Sequence, residues 1–160
     1  MINADIIYVG NTKEKYYLET IEEYKKRLSV YCKLNLIEIK ETKGNDDAGD
    51  NEIEQIKISE GKRILSYLNE KAYIVTLCIE GKQISSPEFA DMLEKIPNIG
   101  YSKVIFIIGG PYGLSDEVKQ KSDFKLSFSK MTFTHRMAKV LLLEQLYRAC
   151  TINAGGKYHK

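Results

Sequence analysis

The sequence predicts an α/β domain with a mainly parallel sheet flanked by helices, and three observations carry that prediction. Two runs, Tyr73 to Ile79 and Val104 to Ile108, are apolar and β-branched without alternation, as in strands covered on both faces. Segments with apolar residues at helical spacing stand before, between and after them. A length of 160 residues suits one domain, residues 1–160, with a core that needs no disulfide or metal. Hydrophobic residues at 43% and charged residues at 29% set the chain apart from disordered sequences. Its longest apolar runs fall far short of the roughly 20 residues of a membrane helix, and Met1 to Asp5 carry no basic, signal-like lead, so a cytoplasmic protein without membrane partners is expected.

The elements follow in order. Ala4 to Gly10 reads as a buried strand ending in a turn at Gly10-Asn11. Tyr17, Ile21, Tyr24 and Leu28 form the stripe of a charged helix, and Leu34 to Lys40 alternates like a strand. Thr42 to Asn51, rich in Gly, Asn and Asp, is a loop, and Ile53, Ile56, Ile64, Leu65 and Leu68 mark a helix from about Asn51. After the strand Tyr73–Ile79, Ser85 and Ser86 offer caps, Pro87 suits a first turn, Phe89, Met92, Leu93 and Ile96 face the core, and Pro97 ends the helix. Val104–Ile108 leads into the turn Gly109-Gly110-Pro111-Tyr112-Gly113, and Ser115-Asp116-Glu117 starts a short helix. Phe124, Leu126 and Phe128 alternate with polar residues as a last strand. Thr134 to Cys150 is the final helix; its apolar residues cover so much of the circumference that a subunit interface is expected beside the core.

Parallel sheets place ligands at the carboxyl ends of their strands. That rule selects the turns after Ile79, after Ile108 and after Phe128. The glycine turn alone is a weak signal, since tight turns use glycine for backbone reasons. Asp116 and Glu117 follow it where a phosphate would otherwise bind, and Val9-Gly10-Asn11-Thr12 lacks the dinucleotide fingerprint, so a neutral or cationic ligand is expected. Gly44 to Gly49 has phosphate-loop spacing but continues as Asp50-Asn51, and no Gly-x-Ser-x-Gly elbow is present. His135 and His159 have no companions at metal-ligand spacing, so no metal is expected. Cys32, Cys78 and Cys150 are odd in number and apolar in context, which suits reduced core thiols.

Charge is uneven. From Lys119 onward nine basic residues face two acidic ones, whereas the first 118 residues hold 15 basic and 20 acidic. A basic end on an acidic body suits a polyanion such as RNA, and it also suits a merely solvated face. Lys130, His135, Arg136, Arg148, Tyr158 and His159 gather in this basic end. Residue chemistry alone favours a helix-start role for His135 and a frayed tail for Tyr158-His159-Lys160.

The segment Leu126–His135 (Leu-Ser-Phe-Ser-Lys-Met-Thr-Phe-Thr-His), the run Leu143–Ala149 and the terminal Tyr158-His159-Lys160 together resemble the RlmH family, ribosomal RNA large subunit methyltransferase H. Val9-Gly10, Glu60-Gly61, Leu77 with Gly81, Ser85-Ser86 and Ile107 to Gly110 with Gly113 extend the resemblance over essentially the whole chain. It implies a SPOUT-type fold with a C-terminal trefoil knot and a homodimer. It also implies transfer of a methyl group from S-adenosylmethionine to N3 of a pseudouridine in large-subunit rRNA of the assembled ribosome.

By that resemblance Leu77, Gly109, Gly110, Gly113 and the loop Phe128, Ser129, Lys130, Met131, Thr132 and Phe133 bind the cofactor. His159, Tyr158 and Arg148 are the candidate catalytic residues, with His159 as base or substrate anchor, and Arg136, His135 and Lys160 contact RNA. The tail of one subunit is implied to reach the other's cofactor pocket. Two positions depart from the family pattern: Thr134 and Lys157 stand where proline is usual. Threonine can cap the helix; Lys157 after Gly155-Gly156 predicts a more flexible tail, ordered by RNA. The rival readings are a SPOUT-fold assembly or RNA-binding factor without turnover, a methyltransferase for another RNA base, and a nucleotide-dependent oxidoreductase, which lacks its fingerprint.

Overall fold

Strands and helices alternate along the chain, as the apolar periodicity predicts. The computed structural model describes residues 1–160. The order is β1 (Ile2–Val9), α1 (Lys15–Leu28), β2 (Cys32–Ile39), α2 (Asp50–Leu65), β3 (Ala72–Lys82), α3 (Ser86–Lys95), β4 (Lys103–Ile108), α4 (Asp116–Gln120), β5 (Phe124–Leu126) and α5 (His135–Asn153). All strand pairs are parallel, in the spatial order β2-β1-β4-β3-β5.

The two central strands are buried on both faces, which is why their sequences do not alternate. Ile6 lies opposite Phe106 in the register of β1 and β4. Ala4, Ile6, Val104, Phe106 and Ile108 pack with residues of α1, α3 and α5 on one face, whereas Ile7, Val9, Ile105 and Ile107 pack with Ile64 of α2 and Val118 of α4 on the other. Each fully buried side chain of this size contributes on the order of 2 kcal/mol. Helix α3 begins as its sequence predicts: the Ser85 hydroxyl accepts from the Glu88 N–H at 3.2 Å, and the Glu88 carboxylate accepts from the Ser85 N–H at 2.7 Å. A single 3-10 turn at Pro97–Ile99 follows it.

Two sequence expectations are corrected. First, β3 runs past Ile79 to Lys82, while β5 stops at Leu126 instead of Phe128. Leu126 pairs with both Leu77 and Lys82, so the intervening residues bulge around the end of β5, and the Ser127 N–H donates to the Lys82 carbonyl at 3.0 Å. Gly81 is where the two segments touch: a Cβ there would sit 2.7 Å from the Lys125 carbonyl oxygen. Second, the C-terminal tail is folded against α5; its contacts are given below. Helix α5 is flanked by α1 and α3 with β1 and β4 beneath it, and of its apolar residues Met137 stays 37% exposed and Val140 and Leu141 are half-buried.

Helix α5 also buries a lysine. Lys139 is 3% exposed, lies 3.7 Å from the centre of the Tyr8 ring and donates to the Thr12 hydroxyl at 2.7 Å. Burial pushes its ammonium down to about 8. Cys32 and Cys150 are buried thiols whose pKa values burial pushes up to about 12 and about 11, the unreactive state expected of core cysteines. Cys78 is also a free thiol but is only partly buried.

Candidate active site

The three turns selected by the strand-end rule meet in one cleft of about 630 Å³. Leu77 to Glu80 line it from β3, Ile108 to Leu114 from the turn after β4, and Leu126 to Ser129 with Met131 to His135 from the loop after β5. Lys119 and Ala138 complete the wall. Such concave, half-apolar sites suit a small organic ligand with a few fixed polar contacts.

The glycine turn is held closed on itself. The Gly113 N–H donates to the Gly110 carbonyl at 3.0 Å, and Gly113 has φ +83°, a conformation that favours glycine. A Cβ on Gly109 would lie 2.7 Å from the Gly113 carbonyl carbon, so backbone alone can form this wall. Behind the turn sits Glu60, 2% exposed, whose carboxylate accepts from the Thr42 N–H at 2.9 Å. Burial raises its carboxyl pKa. Asp116 and Glu117, expected to shape the ligand's charge, are exposed at the start of α4 and do not line the cleft.

The loop after β5 is braced by its serines. The Ser127 hydroxyl donates to the Ser129 carbonyl at 3.0 Å, and the Ser129 hydroxyl accepts from the Met131 N–H at 3.0 Å. This turn leaves Lys130 exposed and outside the lining, while Phe128, Ser129, Met131, Thr132 and Phe133 all line it. Thr134 caps α5, its hydroxyl accepting from the Met137 N–H at 3.3 Å, so the departure from proline is compensated locally.

The predicted RNA-contacting residues separate. His135, at the first position of α5, lines the cleft, and its Nε2 is buried without a partner. Arg136 is held by the Asn11 carbonyl at 3.0 Å and by Glu14 at 3.4 Å, which ties the loop after β1 to α5. Lys160 is exposed at the chain end.

The tail forms its own cluster. Gly155, at φ +71°, and a Gly156 N–H bond to the Thr151 carbonyl at 2.8 Å turn the chain back along α5. The Tyr158 ring packs edge-on against Tyr147 at 4.8 Å, with the Arg148 guanidinium 4.7 Å from its centre. Its hydroxyl donates to Glu144 at 3.1 Å, and burial pushes its pKa up to about 12. Arg148 bonds the same Glu144 oxygen at 2.5 Å and lies 3.3 Å from Nδ1 of His159. A guanidinium has no acceptor, so Arg148 donates and His159 Nδ1 accepts.

Arg148, Tyr158 and His159 are thus brought together, but not with the cleft. Arg148 lies 13 positions after His135 on α5, an axial distance of about 20 Å. Glu144, which anchors the tail, was not singled out from the sequence; its i,i+4 spacing to Arg148 was the available signal. The Lys119–Glu80 ion pair at 2.5 Å beside the cleft was likewise missed, because it joins two distant segments.

Comparison with known proteins identifies the family of the chain. The family described as "Predicted SPOUT methyltransferase" matches residues 2–159. Ribosomal RNA large subunit methyltransferase H of Clostridium kluyveri is 46% identical over 159 residues, spanning 99% of this chain and 100% of the relative. The protein of the same name from Clostridioides difficile is 48% identical over 159 residues, with the same coverage. Among solved structures, a probable methylase family protein from Haemophilus influenzae superposes with a TM-score of 0.55 at 12% identity, covering 98% of this chain and 70% of that one. At that identity the likeness bears on the fold alone.

Proposed function

The chain belongs to the SPOUT methyltransferase family, and from that premise we propose that it methylates N3 of a pseudouridine in large-subunit rRNA. In this reading S-adenosylmethionine is the donor, and the enzyme acts as a homodimer on assembled ribosomes in the cytoplasm. The observation that carries the proposal is the cleft. It gathers Leu77, the glycine turn and, except for Lys130, the loop Phe128–Phe133, which are the residues the resemblance assigns to the cofactor.

The residues present fit such a donor. Gly109, Gly110 and Gly113 offer bare backbone at close range. Leu77, Phe128, Met131 and Phe133 supply apolar surface, and Ser129 and Thr132 supply polar atoms for a nucleoside and an amino acid. When bound, S-adenosylmethionine supplies an electrophilic methyl on a sulfonium centre. The cleft's contribution is alignment and exclusion of water.

The acceptor base belongs to the tail. Since Arg148, which holds His159, sits about 15 Å along α5 from Ala138, the last α5 residue of the cleft wall, the tail is proposed to complete the cleft of a second copy. With Nδ1 accepting from Arg148, the ring carries its N–H on Nε2, which supports His159 as an anchor donating to a pseudouridine carbonyl. Acting as base at N3 requires Nδ1 to be released from Arg148. Tyr158 orients the tail through Glu144, and Lys160 is free to meet RNA phosphate. At the first turn of α5, Arg136 is taken up by Asn11 and Glu14 and His135 stands in the cleft wall in this arrangement. The trefoil knot belongs to the same proposal; the bulge from Leu77 to Lys82 around Leu126 is where a threaded segment would pass.

The test is incubation with methyl-labelled S-adenosylmethionine and assembled ribosomes from cells lacking the modification, followed by mapping of the labelled nucleotide. The proposal predicts label at N3 of a pseudouridine in the large-subunit rRNA. Label on another base would move the substrate; tight donor binding without transfer would point to an assembly factor.

A further inference from the structure

Gly10 ends β1 in a left-handed turn, with φ +90°, and two side chains from distant segments converge on it. A Cβ at Gly10 would lie 3.1 Å from His135 Nε2 and 3.2 Å from a Glu41 carboxylate oxygen. The absence of a side chain here is what lets an imidazole and a carboxylate share one spot. Nε2 is buried and has no hydrogen-bond partner in the chain, although a buried ring nitrogen ordinarily has one. The neighbouring Cδ2 also faces Gly10, at 3.6 Å, so the opposite Nδ1–Cε1 edge is turned the other way, and His135 is part of the cleft wall.

We propose that His135 is a ligand-binding residue of the cleft and Glu41 its positioning residue: the two do not bond in this structure, and a turn of the Glu41 side chain in the space beside Gly10 lets its carboxylate accept the Nε2 N–H, leaving Nδ1 to accept an N–H of the bound cofactor. The chemistry is that of a histidine whose outer nitrogen is set by the partner of its inner one. Burial and the adjacent Arg136 and Lys139 oppose a second proton on the ring, while Glu41 and Glu14 favour it; burial dominates, and the ring's pKa is lowered. A neutral ring has one N–H and one lone pair, and Glu41 can use only the N–H. The ligand class is a nucleoside joined to an amino acid, which carries amino N–H groups at both ends. The inference rests on the cofactor reading above and adds one hydrogen bond to it.

His135 and His159 are the chain's two histidines, so their imidazole nitrogens can be separated in a ¹⁵N spectrum with one variant. The ligand-free protein should show His135 as the Nε2–H tautomer, and Glu41→Ala should abolish that preference. Adding S-adenosylhomocysteine should move the Nδ1 resonance of the wild type. By calorimetry with the same compound, His135→Asn, whose amide oxygen can replace Nδ1, should keep its affinity within about threefold, whereas His135→Leu should lose about tenfold. A Nδ1–H tautomer, a resonance unmoved by bound ligand, or equal affinity for the Asn and Leu variants would overturn the proposal. If wild type binds neither S-adenosylhomocysteine nor S-adenosylmethionine, the cofactor reading fails and takes the ligand contact with it. The tautomer in the free protein then still decides whether Glu41 holds His135.

Discussion

Gly109→Ala should weaken S-adenosylmethionine binding by about 50-fold while leaving a folded protein. The added Cβ would meet the carbonyl carbon of Gly113 at 2.7 Å, with that residue's carbonyl oxygen at 2.9 Å and its Cα at 3.1 Å. All three are backbone atoms of the same turn, so the clash is relieved only by opening the turn. Overpacking of this kind costs about 1–3 kcal/mol, and each 1.4 kcal/mol expressed at the cleft is tenfold in affinity. The control is Gly49→Ala at the start of α2, where a Cβ meets nothing within 4 Å and the cleft is not involved. Calorimetry on both variants, alongside thermal unfolding, separates loss of the cradle from loss of the fold.

His159→Ala should slow single-turnover methylation about 100-fold with RNA saturating, the usual scale for a positioned proton donor or acceptor. Its affinity for S-adenosylmethionine should remain within about twofold, because the glycine turn and the loop Phe128–Phe133 are untouched. The structure separates this effect from simple tail release. Tyr158 holds the tail through its hydroxyl bond to Glu144 and its packing on Tyr147, and neither contact involves His159. Unchanged turnover would remove His159 from the chemistry and leave Arg148 and Tyr158 as the remaining candidates in the cluster.

Much of the fold was legible because it depends on local pattern. Unalternating runs at Tyr73 and Val104 marked strands buried on both faces, and Ser85 with Glu88 marked a helix start that the structure reproduces bond for bond. The location of the cleft was legible too, since parallel strands put their carboxyl ends on one edge. What stayed hidden depends on contacts between distant segments. The bulge of β3 exists because Leu126 arrives to pair with both sides of it. The double glycine before the tail suggested mobility, yet the order there comes from Tyr158 finding Glu144 and Tyr147 on α5. The breadth of the apolar surface on α5 reflects its packing between α1 and α3 over the sheet, with Met137 left 37% exposed. Glu41 beside His135 could not be anticipated at all, because Gly10 brings them together only in the folded sheet. Reaction and substrate were legible only through resemblance, since no element of periodicity distinguishes a methyl acceptor.

The claim that the working site is shared between two copies is tested most directly by mixing defective subunits. One carries Gly109→Ala with an intact tail, the other His159→Ala with an intact cleft, and with S-adenosylmethionine held near the wild-type Kd each alone should be nearly inactive. In randomly mixed dimers half are hybrids, and each hybrid joins one sound cleft to one sound tail, so about a quarter of wild-type single-turnover activity should return. If the tail served the cleft of its own chain, every subunit in the mixture would keep its own defect. No recovery in verified hybrids would contradict the shared site.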